Sequence, residues 1–105
     1  ATLLLYNNSF SGNLPSGIFD NNAAITTLNI GQNSFSGVLD VDTFRYNTLL
    51  TSLRIYNNSF SGAIPAGIFQ YNTALTDLHF EGNGFTGPLP STIFDNTKIN
   101  SFAPV

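Results

Sequence analysis

The chain has 105 residues, a formal net charge of −3, only 9% charged residues, 42% hydrophobic residues and no cysteine. A single domain fits that length, and with charge well below the usual quarter or so the polar surface must come from Asn, Ser and Thr. No basic cluster is present to neutralise phosphates, which excludes nucleic acid as a partner; no apolar run nears the roughly 18 residues of a spanning helix, which excludes helical membrane insertion; and the missing cysteines exclude a disulfide framework, a thiolate metal site and a cysteine nucleophile.

In chain order, "ATLLLYNNSF" opens with the alternation Leu3-x-Leu5, which predicts a short strand and lacks the basic n-region of a signal peptide. "YNNSFSG" at 6–12 then predicts a turn at Asn8 and a bend at Gly12, and Pro15 an extended return path to Phe19. The same series recurs as Leu28-x-Ile30 with "GQNSFSG" at 31–37, Leu53-x-Ile55 with "YNNSFSG" at 56–62, and Leu78-x-Phe80 with "EGNGFTG" at 81–87. Asn8, Asn33, Asn58 and Asn83 stand 25 residues apart, as do Phe10, Phe35, Phe60 and Phe85, and Phe19, Phe44, Phe69 and Phe94. Gly12, Gly37, Gly62 and Gly87 keep that step, followed by Leu14, Leu39, Ile64 and Leu89. The repeats fall at about 1–24, 25–49, 50–74 and 75–98, with a partial end at 99–105.

One such unit cannot cover its apolar side, whereas stacked units can, because equivalent side chains then form continuous ladders. Parallel strands about 4.8 Å apart would turn Leu53 and Ile55 inward and Arg54 outward. The Asn column is explained by the turn it follows. A buried turn leaves backbone N–H and C=O groups short of partners, and an amide side chain both donates and accepts.

The stretch "LTSLRIYNNSFSGAIPAGIF" resembles the leucine-rich repeat, L-x-x-L-x-L-x-x-N-x-F-x-G-x-I-P, and its plant-type class in particular. The resemblance covers almost the whole chain. It implies an α/β-type solenoid, mostly β and irregular, with four stacked 25-residue coils, a concave parallel sheet and short strands beside it at the G-x-I-P element. Three features depart from the pattern. The period is one residue longer than usual for the class, "SGVLDVDTF" lacks the proline, and no Cys-bearing end caps are present. The tail "FDNTKINSFAPV" is one residue short before Ile99 and Phe102, and Pro104 stands at a strand core position, so no full fifth strand is expected.

Solenoids normally end in polar caps. Here Leu3, Leu5, Phe10 and Leu14 would form an uncovered edge. Open edges pair with other chains, so end-to-end self-association, or continuation into a longer array, is expected; the first would make fibres. The outward rungs of the sheet would be Leu4 and Tyr6; Thr27, Asn29 and Gly31; Ser52, Arg54 and Tyr56; and Asp77, His79 and Glu81. Arg54, Tyr56, Asp77, His79 and Glu81, with Asn29 alongside, are the candidate binding surface for a protein or glycan ligand. The plainer alternative is a solvated face whose opposite charges hold register.

Ser52, Asp77 and His79 supply the residue types of a catalytic triad, but an open sheet offers no oxyanion hole, and geometry defines a triad. His79 is the only histidine, so a histidine metal cluster within the chain is excluded, and Asp40 with Asp42 is at most a weak calcium loop. No metal or cofactor is expected. Asn7 and Asn57 head N-x-S sequons; glycans there would supply solubility that charge does not. The column Thr26, Thr51 and Thr76 raises ice binding, against which stands the β-propensity of Thr and the charged neighbours. The sequence therefore points to a non-catalytic, extracellular or cell-surface structural and interaction module that extends a repeat stack. The alternative is a ligand-recognition fragment of a receptor-like ectodomain.

Overall fold

The computed structural model describes residues 1–91, 93–95 and 97–99, and the backbone of 101–103. The strands in chain order are β1 (Thr2–Leu4), β2 (Ser11–Asn13), β3 (Thr27–Asn29), β4 (Ser34–Val38), β5 (Ser52–Arg54), β6 (Ser59–Gly62), β7 (Asp77–His79), β8 (Gly84–Phe85) and β9 (Ser101–Ala103). Odd and even strands separate into two parallel sheets, β1-β3-β5-β7-β9 and β2-β4-β6-β8. Each coil thus contributes one strand to each wall, as stacking of a 25-residue unit demands.

In the five-stranded sheet the repeat sets the register. Leu3, Leu28, Leu53 and Leu78 stand opposite one another in successive strands. Alternation does the rest: Leu53 and Ile55 are buried at 0% and 1% exposure while Arg54 between them is exposed. Two aromatic columns fill the interior. Phe10, Phe35, Phe60 and Phe85 stack at 6.1, 6.4 and 6.3 Å, and Phe19, Phe44, Phe69 and Phe94 at 5.9, 6.3 and 6.5 Å. The second column lies on the return side. Its step exceeds the ~4.8 Å between paired strands, so the coils fan apart there and the five-stranded sheet forms the concave wall.

Among the described residues there is no helix. The return path is a chain of tight turns, such as Ile68 N–H donating to Pro65 O and Gln70 N–H to Gly67 O. Coil two lacks the proline, and Asp40 replaces it chemically. Its Oδ1 accepts from Asp42 N–H at 3.2 Å and its carbonyl accepts from the Thr43 hydroxyl at 2.8 Å, an Asx-type turn in place of a fixed φ.

Hydrogen-bonding columns tie coil to coil. Asn58 Nδ2 donates to Ile30 O, Ile55 O and Tyr56 O at 3.0–3.2 Å, and its Oδ1 accepts from Phe35 N–H at 3.1 Å. Asn33 and Asn83 repeat this pattern one coil either side. A second amide column was not anticipated from the sequence: Asn47 Nδ2 donates to Phe19 O and Asn22 O, and Asn72 Nδ2 to Phe44 O and Asn47 O. Asn47 and Asn72 are only 1% and 0% exposed.

The four-stranded sheet departs from the repeat step. Ser11 pairs with Ser34 and Ser36 with Ser59, residues 23 apart rather than 25. Each Gly of the bend column stands opposite a Phe of the next coil, as Gly37 opposite Phe60. Gly62 holds φ 76°, a left-handed conformation that a Cβ disfavours, and an added Cβ would meet Val38 Cγ2 at 2.9 Å.

One expectation is corrected. A fifth strand does form, and Asp77, Leu78 and His79 pair with Ser101, Phe102 and Ala103. Proline withholds a donor only at its own position, and the three residues before Pro104 keep theirs. Pro104 itself lies outside the described residues.

Candidate functional site

The outward face of the concave sheet is assembled by register. Thr27, Ser52 and Asp77 line up across three strands, and so do Asn29, Arg54 and His79. Asp77 is the hub. Its Oδ2 accepts from Ser52 Oγ at 2.8 Å and from Arg54 Nε and Nη2 at 3.1 and 3.0 Å, and its Oδ1 lies 2.8 Å from His79 Nε2. Ser52 and Asp77 are half-buried, whereas the Arg54 side chain is 44% exposed. Three of the six candidates on this face, Arg54, Asp77 and His79, therefore form one hydrogen-bonded group, joined by Ser52.

Glu81 closes the group less tightly. His79 Nδ1 stands 3.8 Å from Glu81 Oε1, too far for a hydrogen bond, and that buried carboxylate oxygen has no hydrogen-bond partner. Tyr56, one strand away, lies across Gly31, where any Cβ would run into its ring. Asn29 is in register with Arg54 but its Oδ1 accepts from Gly31 N–H at 3.0 Å, which directs it to its own strand. On β1 and its extension, Leu4 and Tyr6 are 54% and 46% exposed.

Ser52, Asp77 and His79 meet in an order unlike that of a hydrolytic triad. The carboxylate stands between the hydroxyl and the imidazole, so the serine proton points at an acid and not at a base oriented by it. This arrangement suits fixed polar recognition. Its hydrogen bonds hold the Arg54 guanidinium and the His79 ring in one geometry, and preorganisation lowers the entropic cost of binding.

The other sequence candidates fall elsewhere. Asn7 and Asn57 are exposed at the end of the strand ladder with φ 60° and 52°; Gln32 and Gly82 hold the same place with φ 54° and 71°. Asn is among the few side chains that tolerate that region, so the backbone alone accounts for an Asn in both sequons. The hydroxyls of Thr26, Thr51 and Thr76 donate to Ala1 O, Thr26 O and Thr51 O, a third column linking coils. Leu3, Leu5 and Leu14 pack half-buried against the core while Phe10 is 45% exposed.

Sequence reasoning missed a cluster around Arg45 on the return side. Its Nη2 is 3.2 Å from Asp20 Oδ2, its Nη1 is 3.8 Å from Asp42 Oδ2, and its guanidinium sits 4.8 Å from the Tyr46 ring centre. The Asp20 hydrogen bond first, then the charges of its neighbours, raise the Arg45 pKa above its ordinary value. The signal was the 25-residue step from Asp20 to Arg45, which puts opposite charges in register. No group of three or more potential metal ligands occurs among the described residues, and no helix among them is long and apolar enough to cross a membrane.

Comparison with known proteins places this geometry. The family model described as Leucine Rich Repeat matches residues 49–70 and 74–96. A solved structure of Pollen Receptor Kinase 3 is 38% identical over 91% of this chain and 44% of its own, with a TM-score of 0.77. The Arabidopsis receptor kinase HAESA, solved with the peptide hormone IDA and the co-receptor SERK1, is 28% identical over 99% of this chain and 17% of its own, with a TM-score of 0.85. The BIR2 ectodomain from Arabidopsis thaliana, at 22% identity, shares the fold with a TM-score of 0.88 over 97% of this chain and 52% of its own. The chain spans about half or less of each of these structures. No curated protein matches it significantly.

Proposed function

Since the chain belongs to the plant-type leucine-rich repeats, we propose that it is a non-catalytic recognition module of an extracellular or cell-surface protein, which takes a protein or peptide on its concave sheet. The observation that carries this reading is the Ser52–Arg54–Asp77–His79 network. It sets Arg54 and Asp77, with the His79 ring, on one outward face and holds them there in one hydrogen-bonded geometry. HAESA, similar in fold and repeat type, was solved with a peptide hormone, which supports a peptide as the class of ligand. The test is selection from a random dodecapeptide display library on the 105-residue chain, followed by hydrogen exchange with the selected peptide. Protection over 52–56 and 77–81, lost in the Arg54→Ala/His79→Ala variant, is expected. Protection confined to the return side, or no enrichment, sinks the reading.

A second reading rests on the first coil. The Phe10 ring stacks on Phe35 on one side only and remains 45% exposed, beside the half-buried Leu3, Leu5 and Leu14. That edge accepts a further coil, from the same polypeptide or a second copy, and end-to-end self-association of residues 1–105 follows from the second. Sedimentation velocity is expected to show concentration-dependent association that Phe10→Arg abolishes; a single monomeric species at all concentrations discards it. Glycans on Asn7 and Asn57 belong to the same extracellular setting, and an intact mass of native material equal to the bare chain removes them.

A further inference from the structure

The concave sheet is graded in chemistry from one end to the other. At the first coil it presents Leu4 and Tyr6, exposed and apolar. The second coil offers only the small neutral side chains Thr27 and Asn29, its Gly31 being buried under the Tyr56 ring. The third adds Arg54 and the Tyr56 ring, and the fourth carries Asp77 and Glu81. Among the described residues the single cation of this face, Arg54, is held by Asp77; the second carboxylate, Glu81, leaves the fourth coil with net negative charge.

The hydrogen-bond inventory at that end is short of donors. When the His79 Nε2–H donates to Asp77 at 2.8 Å, Nδ1 of a neutral ring is a bare acceptor. It faces Glu81 Oε1 at 3.8 Å, itself buried and without a hydrogen-bond partner. Two acceptors turned toward one another call for a donor between or above them. A cationic side chain answers both features, through charge and N–H donors.

We infer that the sheet reads an extended peptide in one direction, with an apolar side chain at Leu4 and Tyr6 and a basic side chain at Glu81 and His79; this rests on the sheet being the recognition face. The span fixes the spacing. From β1 to β7 there are three strand steps of about 4.8 Å, roughly 14 Å, and an extended chain advances about 3.3 Å per residue, so the apolar and basic residues stand about four apart. The intervening positions need small polar side chains to pass over Thr27, Asn29 and the Tyr56 ring that covers Gly31.

The probes are acetyl-Phe-Ser-Gly-Ser-Arg-amide, the same peptide with Glu in place of Arg, and the same with Phe and Arg exchanged. Each is titrated to millimolar concentration into the isotopically labelled 105-residue chain and followed by NMR. The first peptide is expected to shift the amide signals of Gly31, Tyr56 and Glu81 together with those of Leu4 and Tyr6. Glu81→Gln is expected to weaken it at least fivefold while leaving the urea midpoint unchanged, and the Glu-bearing peptide to bind at least tenfold more weakly. If the Glu-bearing or exchanged peptide shifts the same residues equally, the graded reading falls and the sheet as recognition face stands. Absence of any shift on the sheet from the first peptide overturns the inference, and if display-selected peptides also avoid the sheet, the proposed function falls with it.

Discussion

The heptapeptide "YNNSFSG" occurs at 6–12 and at 56–62, and the two copies behave differently. In the third coil Asn58 is 8% exposed and Phe60 1%. In the first coil Asn8 is exposed and Phe10 is 45% exposed. Asn58 donates to three carbonyls across two coils and accepts from Phe35 N–H, whereas Asn8 donates only to Leu5 O and Tyr6 O of its own turn. The Phe60 ring stacks against Phe35 and Phe85; the Phe10 ring stacks only against Phe35. Identical residues therefore differ in worth because a solenoid stores its stability in contacts between coils, and a local sequence does not say how many neighbours it has.

The largest test of this contrast is the ring. Phe60→Ala opens a cavity inside a stack closed on both sides and is expected to cost about 4 kcal/mol. Phe10→Ala removes a ring that is half in solvent and is expected to cost about 1–2 kcal/mol. Urea midpoints at constant m-value measure both; equal losses would mean that the first coil is as well packed as the third, and the contrast would fail.

The amide comes next. Asn58→Ala leaves the Phe35 N–H without its acceptor and takes one of two donors from each of the carbonyls of Ile30, Ile55 and Tyr56, which keep Asn33 Nδ2, Asn83 Nδ2 and Gln32 N–H. About 3 kcal/mol is expected, since one buried orphan donor costs about 1–3 kcal/mol and three further hydrogen bonds are lost with it. Asn8→Ala, where solvent replaces the amide, is expected to cost under about 1 kcal/mol on the same scale. Amide exchange sharpens the result: Phe35 N–H should lose its protection in Asn58→Ala and keep it in Asn8→Ala.

A smaller difference separates the glycines. Gly12 and Gly62 hold φ 84° and 76°, so alanine strains both, by about 1 kcal/mol. At Gly62 the new methyl also meets Val38 Cγ2 at 2.9 Å, whereas at Gly12 nothing lies within 4 Å. Gly62→Ala is therefore expected to cost about 2 kcal/mol, the extra unit being the price of moving Val38, and Gly62→Ala in a Val38→Ala background should fall back to the Gly12 value.

What the letters disclosed follows the same division. A step of 25 residues laid out the coils, the Asn58 column and both phenylalanine columns, because those contacts join equivalent positions in adjacent units. The Asn47 and Asn72 column obeys that step too and was legible in "YNT" at 46–48 and 71–73, but the flanking tyrosines make it look like a surface turn. The 23-residue register of Ser11 with Ser34 was not legible, since it depends on where left-handed residues such as Gln32 and Gly37 redirect the backbone. At the candidate binding face, register alone brought Arg54 beside His79. That Asp77 would gather Ser52, Arg54 and His79 at once depended on rotamers that spacing does not encode, and Asn29 turned to the backbone for the same reason.

Asn7 and Asn57 supply the control, because their constraint is local. Both occupy the left-handed region, at φ 60° and 52°, and both are exposed. Alanine tolerates that region worse than Asn by about 1 kcal/mol, whatever lies above or below the coil. Asn7→Ala and Asn57→Ala are accordingly expected to lower stability equally, within about 0.5 kcal/mol, in the same chain where Asn8→Ala and Asn58→Ala differ several-fold. Urea denaturation of the four variants decides it. A large gap between Asn7→Ala and Asn57→Ala would show that the left-handed turn also draws its stability from neighbouring coils, through a contact such as that of Asn57 Oδ1 with Gly82. Equal losses would confine the dependence on neighbours to the side chains that reach from one coil to the next.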